Sequence, residues 1–265
     1  MNLYIRLTSF FLITLLLVSF TYAGYITIET NVKSQVEGNI LNNEAKITNL
    51  GDDVAFNVRA SLILNRSVYE SRVKETLGAG ESFKFNKSIE IPYLIKGTYH
   101  LVTKVDYQDS NNYPFQALSV SSFNFINITT SNVEVRLENT KLSDKGTLNL
   151  LILNKDNKEK DIIITVHAPE EIEIINTPIR TKLKNNLKLN FDLERGNALS
   201  GSNYAVFAVV EYDENNKHFT SIGSANVEIV DFIFNEKNII SKIFIISFIA
   251  LLLFYIFVKK KRLLK

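Results

Sequence analysis

Two stretches decide the fold of this chain: Tyr99-His-Leu-Val-Thr-Lys-Val-Asp-Tyr107 and Tyr204-Ala-Val-Phe-Ala-Val-Val-Glu-Tyr212. Tyrosines match at both ends, apolar or small residues recur at every second position, and an acid precedes the second tyrosine. In an extended chain every second side chain shares a face, so this period is that of a β-strand with one side in a core. Each stretch runs on into an Asn-Asn pair (Asn111-Asn112; Asn215-Asn216), then a phenylalanine (Phe115; Phe219) and a further extended run. The copies stand 105 residues apart, about the length of one sandwich domain. The repeat predicts an all-β fold of two tandem Ig-like β-sandwich domains, residues 24–127 and 128–232. The boundary falls near Ile126–Thr130 with no Pro/Gly-rich linker, so the domains are expected to abut.

Outward from the repeat the same alternation continues. Val54, Phe56, Val58, Ala60, Leu62 and Leu64 form one such run, and Leu187, Leu189, Phe191 and Leu193 another. Turn clusters such as Asn49-Leu-Gly51-Asp-Asp53 separate the runs at sandwich-like spacing, and no stretch between residues 24 and 230 sustains a helical period. Leu94-Ile-Lys-Gly97-Thr-Tyr99 and Leu199-Ser-Gly201-Ser-Asn-Tyr204 resemble the tyrosine corner of fibronectin type III and related sandwiches. That resemblance implies a tyrosine hydroxyl bonded back to the connecting backbone. Lys46-Ile-Thr-Asn49-Leu-Gly51 resembles the opening motif of bacterial and archaeal CARDB-type and NEW3-type extracytoplasmic domains. The second copy departs from it, with Asn154-Lys-Asp156 in place of Asn-Leu-Gly and one more residue between glycine and tyrosine.

The two ends set an expected topology. Residues 1–23 carry one positive charge at Arg6, an apolar run from Leu7 to Phe20, and small residues before Gly24, the pattern of a secretory signal peptide. Ile239 to Val258 is long enough to span about 30 Å as a helix. It lies within a transmembrane helix expected at 238–258, and Lys242 can snorkel toward the headgroups. Lys259-Lys-Lys-Arg262 and Lys265 follow, a basic tail (259–265) placed in the cytoplasm by the positive-inside rule. The expected location is therefore the cell membrane, in a single type I span with the body outside. No sorting motif precedes Asn238, so the helix is expected to be retained.

Composition narrows the function. Taking Arg6 and the five basic tail residues away from the formal +2 leaves −4 for residues 24–258, so nucleic acid is excluded as an expected partner. With no cysteine there is no disulfide or thiolate site, and no cofactor is expected. His100, His167 and His218 lack paired spacing, and His100 sits on the predicted solvent-facing parity of its strand, so all three read as surface residues. Glu170 and Glu171 are neighbours that a strand would point to opposite faces, which reads as a solvated edge or turn. The acidic hairpins Asp106–Asn112 and Glu211–Asn216 offer clustered oxygens of the kind Ca²⁺ takes. Their spacing matches no calcium loop, and the same residues are ordinary turn formers. No metal or catalytic set is assigned.

The expectation is a non-enzymatic, membrane-anchored surface protein whose tandem Ig-like domains mediate extracytoplasmic binding, adhesion or scaffolding, with a protein or polysaccharide as partner. The alternative is an accessory subunit that positions an enzyme or transporter complex at the membrane. The candidate binding residues are Tyr113, Asn111 and Asn112 on the first hairpin loop, because a tyrosine next to a φ-fixing proline offers contact area at low entropic cost. Phe115 is expected to plug the core beside them.

Overall fold

The computed structural model describes residues 24–231. The signal peptide, transmembrane helix and basic tail expected from the sequence lie outside the described residues. Within them the chain is all-β, with no helix. The first half contains β1 (Ile28–Glu37), β2 (Ile40–Asn49), β3 (Ala55–Leu64), β4 (Ser67–Glu70), β5 (Lys74–Leu77), β6 (Ser82–Glu90), β7 (Gly97–Gln108) and β8 (Pro114–Phe125). The second contains β9 (Val133–Leu137), β10 (Thr140–Leu142), β11 (Lys145–Asn154), β12 (Lys160–His167) and β13 (Ile172–Ile174). β14 (Ile179–Leu183), β15 (Leu187–Arg195), β16 (Asn203–Glu214) and β17 (Lys217–Ile229) complete it.

Three sheets result: β1-β2-β6, β13-β15-β11-β9, and a ten-stranded sheet that runs β14-β12-β16-β17-β7-β3-β4 with β5, β8 and β10 on its flanks. Each small sheet faces part of the large one across its own apolar cluster, a coarse Ig-like layering. In the first half Leu41, Ala45, Ile47, Phe85 and Ile89 meet Val58, Ala60, Leu62, Leu101, Val105 and Phe123. In the second, Leu148, Leu150, Ile152, Phe191 and Leu193 meet Ile162, Ile164, Val206, Ala208, Val210 and Val227. Period two is enough to build both layers, because alternate residues face inward while the rest stay wet. In a cysteine-free chain this burial carries the stability.

One run does not keep its predicted phase. Phe56, expected to face the core, is half-buried outside it, while Ala55 and Val58 are fully buried. A β-bulge between Phe56 and Arg59, with Asn57 at φ 52°, adds a residue and flips the face.

The asparagine of the opening motif does structural work in both halves. Asn49 is fully buried, and its amide donates to the Asp53 carbonyl at 2.7 Å and the Leu77 carbonyl at 3.0 Å while its oxygen accepts from the Gly51 N–H. Asn154 repeats the pattern, donating to the carbonyls of Lys158 at 2.9 Å and Lys184 at 2.8 Å. Each side chain ties the end of one strand to two loops that would otherwise leave buried carbonyls unpaired. Gly51 adds a close approach that only glycine allows: a Cβ there would stand 2.2 Å from the Tyr25 carbonyl.

The large sheet joins the halves at one point, where His218 at the start of β17 pairs parallel with Gly97 at the start of β7. A Cβ at Gly97 would stand 2.2 Å from the His218 carbonyl oxygen, so glycine is required for this contact. Because β7 and β17 run the same way, the loop after β7 lies at the end of the molecule where β17 finishes. The halves therefore lie side by side, the hairpin tip of each against the base of the other.

Candidate functional site

β7 shows how the junction is built. Tyr99, Leu101, Thr103 and Val105 point into the first core, and their alternates His100, Val102, Lys104 and Asp106 occupy the other face. That face was expected to meet water at His100. Instead the second half covers it, and the His100 side chain is only 13% exposed. The parity is as read; the solvent is displaced by a second half whose position no local pattern encodes. Val102, Leu118 and Val209 are buried yet belong to neither core cluster, on the outward parity of β7, β8 and β16.

All three histidines of the chain converge here, which corrects their reading as separate surface residues. Glu211 Oε1 accepts hydrogen bonds from His100 Nδ1 at 2.9 Å and His218 Nε2 at 3.2 Å. His218 Nδ1 also donates to Asp213 at 2.7 Å, and its ring stacks on Tyr99 with centroids 4.2 Å apart. His167 closes the group, its ring 5.8 Å from that of His100 and its buried Nε2 without a hydrogen-bond partner. Burial alone would raise Glu211, but the bonds from His100 and His218 outweigh it and hold the carboxyl down to about 2. Burial opposes charge on His218 too, and there Glu211 and Asp213 prevail and raise it. His167 has no such partner: burial, with the His100 ring beside it, pushes it down to about 4.

A second part of the junction surrounds Glu171. The neighbouring acids diverge as expected, but only Glu170 is solvated, paired with Lys104 at 3.4 Å. Glu171 is 2% exposed and accepts from the Gln116 N–H at 2.7 Å, so the expected solvated turn is buried at this residue. Desolvation raises its pKa. A cavity of about 350 Å³ adjoins it, lined by Arg59, Asp106, Tyr107, Phe115, Gln116, Glu170 and Asn197.

The expected binding residues sit at the edge of this region. Asp109 accepts from the N–H groups of Asn111 and Tyr113, both at 2.8 Å, and Asn112 takes a left-handed φ of 62°. These are the local bonds of an Asx turn. Asn111 and Asn112 are exposed, whereas Tyr113 is half-buried and its hydroxyl donates to the Asn197 carbonyl of the second half. Phe115 does not plug the core; it is half-buried and stacks across the hairpin on Tyr107 at 5.5 Å. Phe219 also stacks on Tyr212, at 4.9 Å, but packs against the second core.

Among the described residues no group of three or more histidines or acids is arranged to hold a metal ion. Chemically the junction can fasten two surfaces and take up or release protons. Sequence reasoning missed Glu211, His167 and Glu171 as junction residues. The available signal was divergence on the outward face of the repeat, where His100 of one copy stands against Ala205 of the other.

No protein-family model matches this chain, and no curated protein matches it. Solved structures do. The native conformation of Escherichia coli alpha-2-macroglobulin is similar at 10% identity and a TM-score of 0.30, over 77% of this chain and 17% of that one. The trypsin-activated form of the same protein gives 9%, 0.31, 77% and 18%. Red sea bream transglutaminase gives 10%, 0.25, 77% and 31%. The chain spans less than a third of each of these proteins.

Proposed function

We propose that this chain is a non-enzymatic, membrane-anchored extracytoplasmic protein whose two tandem Ig-like domains, 24–127 and 128–232, form one rigid scaffold for binding a partner protein. The observation that carries this reading is the polarity of the body. Gly24, Tyr25, the Asn111 loop and Leu199–Tyr204 border one cleft, and Ser200 bonds Asp231 at the same end. Ile239, where the apolar span begins, follows eight residues later, so this end is the rooted one. At the opposite end Tyr93 is 95% exposed, with Ile95, Ile126 and Ile128 also exposed where the chain enters β7 and leaves β8. Apolar side chains grouped in this way suit a protein surface.

This reading moves the expected contact away from Tyr113, which lies at the rooted end and spends its hydroxyl on the second half. The buried Asn49 supports the CARDB-type resemblance of the first copy, and the second copy keeps the asparagine at Asn154 without the rest of the motif. A photo-crosslinking residue at position 93 of the full chain, displayed on intact cells, tests the proposal. Capture of a discrete partner at 93 and not at 113 is the expected outcome. Capture at 113 alone reverses the assignment, and a body inaccessible to external protease overturns the export on which it rests.

A further inference from the structure

We propose that the histidine cluster between the halves is a pH-sensitive latch, which keeps the halves docked near neutral pH and releases them when acid drives a proton onto His167. The argument rests on placement. His167 ends β12 at the junction, with His100 and Lys104 facing it from β7 and Glu211 from β16. The one acid in reach already accepts from His100 and His218. Glu170, on the loop after β12, is exposed and engaged by Lys104. From β14, Arg180 pairs with Ile163, upstream of His167, and lines a cavity with Asp161, Lys182, Glu211, Asp213 and His218. A proton on His167 therefore enters a site beside His100 and Lys104, where the neighbouring carboxylate of Glu211 is already bonded.

The direction of the effect follows. With the halves apart, His167 titrates near the ordinary ~6.5; docked, it is held at about 4. The docked state binds fewer protons between those limits, so acid favours separation there. His218 acts at the other side: its raised pKa makes its pairing complete below the ordinary histidine value and lost only as pH rises through the raised one. Glu211 stays ionised until pH approaches 2, and what stability it adds is also lost toward acid. Glu171, buried elsewhere in the junction, acts the opposite way, because its raised pKa makes docking easier as pH falls; within the histidine cluster only losses remain below neutrality, with His167 the first to act. His167 alone is expected to lower the docking constant by roughly two orders of magnitude between about pH 6.5 and about pH 4, a fall that Glu171 offsets in part.

The chain contains no cysteine, so a dye pair can be placed at Glu90→Cys and Lys188→Cys, exposed positions on the two small sheets. In the full chain held in detergent, energy transfer is expected to be steady from about pH 7.5 to 6.5 and to fall toward pH 4 while the far-ultraviolet β signal persists. His167→Phe should move the fall to lower pH by about one unit or more, with His167→Asn as the second variant should the first not fold. Transfer that stays constant to pH 4, or an unshifted fall in the His167 variant, overturns the latch. Loss of β signal together with transfer would instead overturn the reading of the halves as separate folding units, and the latch with it.

Discussion

On β7 and β16 most core-facing positions carry similar side chains: Tyr99, Leu101, Val105 and Tyr107 stand against Tyr204, Val206, Val210 and Tyr212, with Thr103 against Ala208 the exception. The outward positions differ at His100 and Lys104, which stand against Ala205 and Val209, while Asp106 and Glu211 are both acids. The two faces answer to different physics. A core asks only for apolar volume at every second residue, so a repeated domain can keep its inner face unchanged. Docking one copy on the other asks for complementarity, which identical surfaces of like charge cannot supply. The first copy therefore contributes His100, and the second contributes Glu211 with His167 and His218. Divergence between copies marks the junction, and similarity marks the cores.

The sharpest test of that contrast uses glycines at the entry to each repeat strand. Gly97 and Gly201 both stand shortly before the repeat tyrosine, but only Gly97 touches the other half. Gly97→Ala puts a Cβ 2.2 Å from a backbone oxygen that cannot move independently, and should cost about 3 kcal/mol. Gly201 has open space around it and a φ of +84°, so Gly201→Ala should cost about 1 kcal/mol, the strain of the left-handed conformation alone. Denaturant unfolding of both variants checks the difference. Equal costs would mean that the single pairing with His218 is not a close contact in solution.

The paired asparagines come next, and here the halves should agree. Asn49→Ala strands the carbonyls of Asp53 and Leu77 and removes the acceptor for Gly51, for an expected loss of about 3 kcal/mol. Asn154→Ala strands two carbonyls as well, yet its own side-chain oxygen has no partner to lose. Its cost should be about 2 kcal/mol. A negligible effect at Asn154 would break the structural equivalence of the two motifs.

How much of this was legible beforehand depends on the range of the interaction concerned. The strands were legible because alternation is local, and so was the strand pairing of each repeat hairpin. The hairpin turns were legible only as turns. Asn215 and Asn216 both take positive φ and close a two-residue loop, whereas Asn111 and Asn112 belong to a longer loop organised by Asp109. The bulge at Asn57 left no mark in the apolar pattern, because Val54 and Phe56 kept the phase of Val58 in sequence while the backbone broke it. Of the candidate site, the sequence supplied the residues but not their meeting. His100 and Glu211 are 111 positions apart, and only the side-by-side placement of the halves brings them within a hydrogen bond. Glu171 reads as a surface acid in any local window and is buried against Gln116 of β8 in the other half.

The smallest difference between the copies is also the most discriminating, because it separates a motif from its geometry. Both repeat tyrosines are 6% exposed, and burial lifts both hydroxyls to about 12. Tyr99 donates to the Ile95 carbonyl at 2.8 Å, which closes the corner. Tyr204 sits one residue farther from its glycine, and its buried hydroxyl makes no well-formed bond, although Ser202 and the Leu199 backbone lie close. A net hydrogen bond of this kind contributes about 1 kcal/mol, whereas a buried hydroxyl without a partner contributes nothing or costs a little. Tyr99→Phe keeps the ring stacked on His218 and should lose about 1 kcal/mol. Tyr204→Phe keeps its ring in the second core and should be neutral or slightly stabilising. Chemical denaturation of the full chain resolves this gap if the two variants are compared side by side. Should Tyr204→Phe cost as much as Tyr99→Phe, the second corner is closed in solution, and the added residue before Tyr204 is absorbed by the loop.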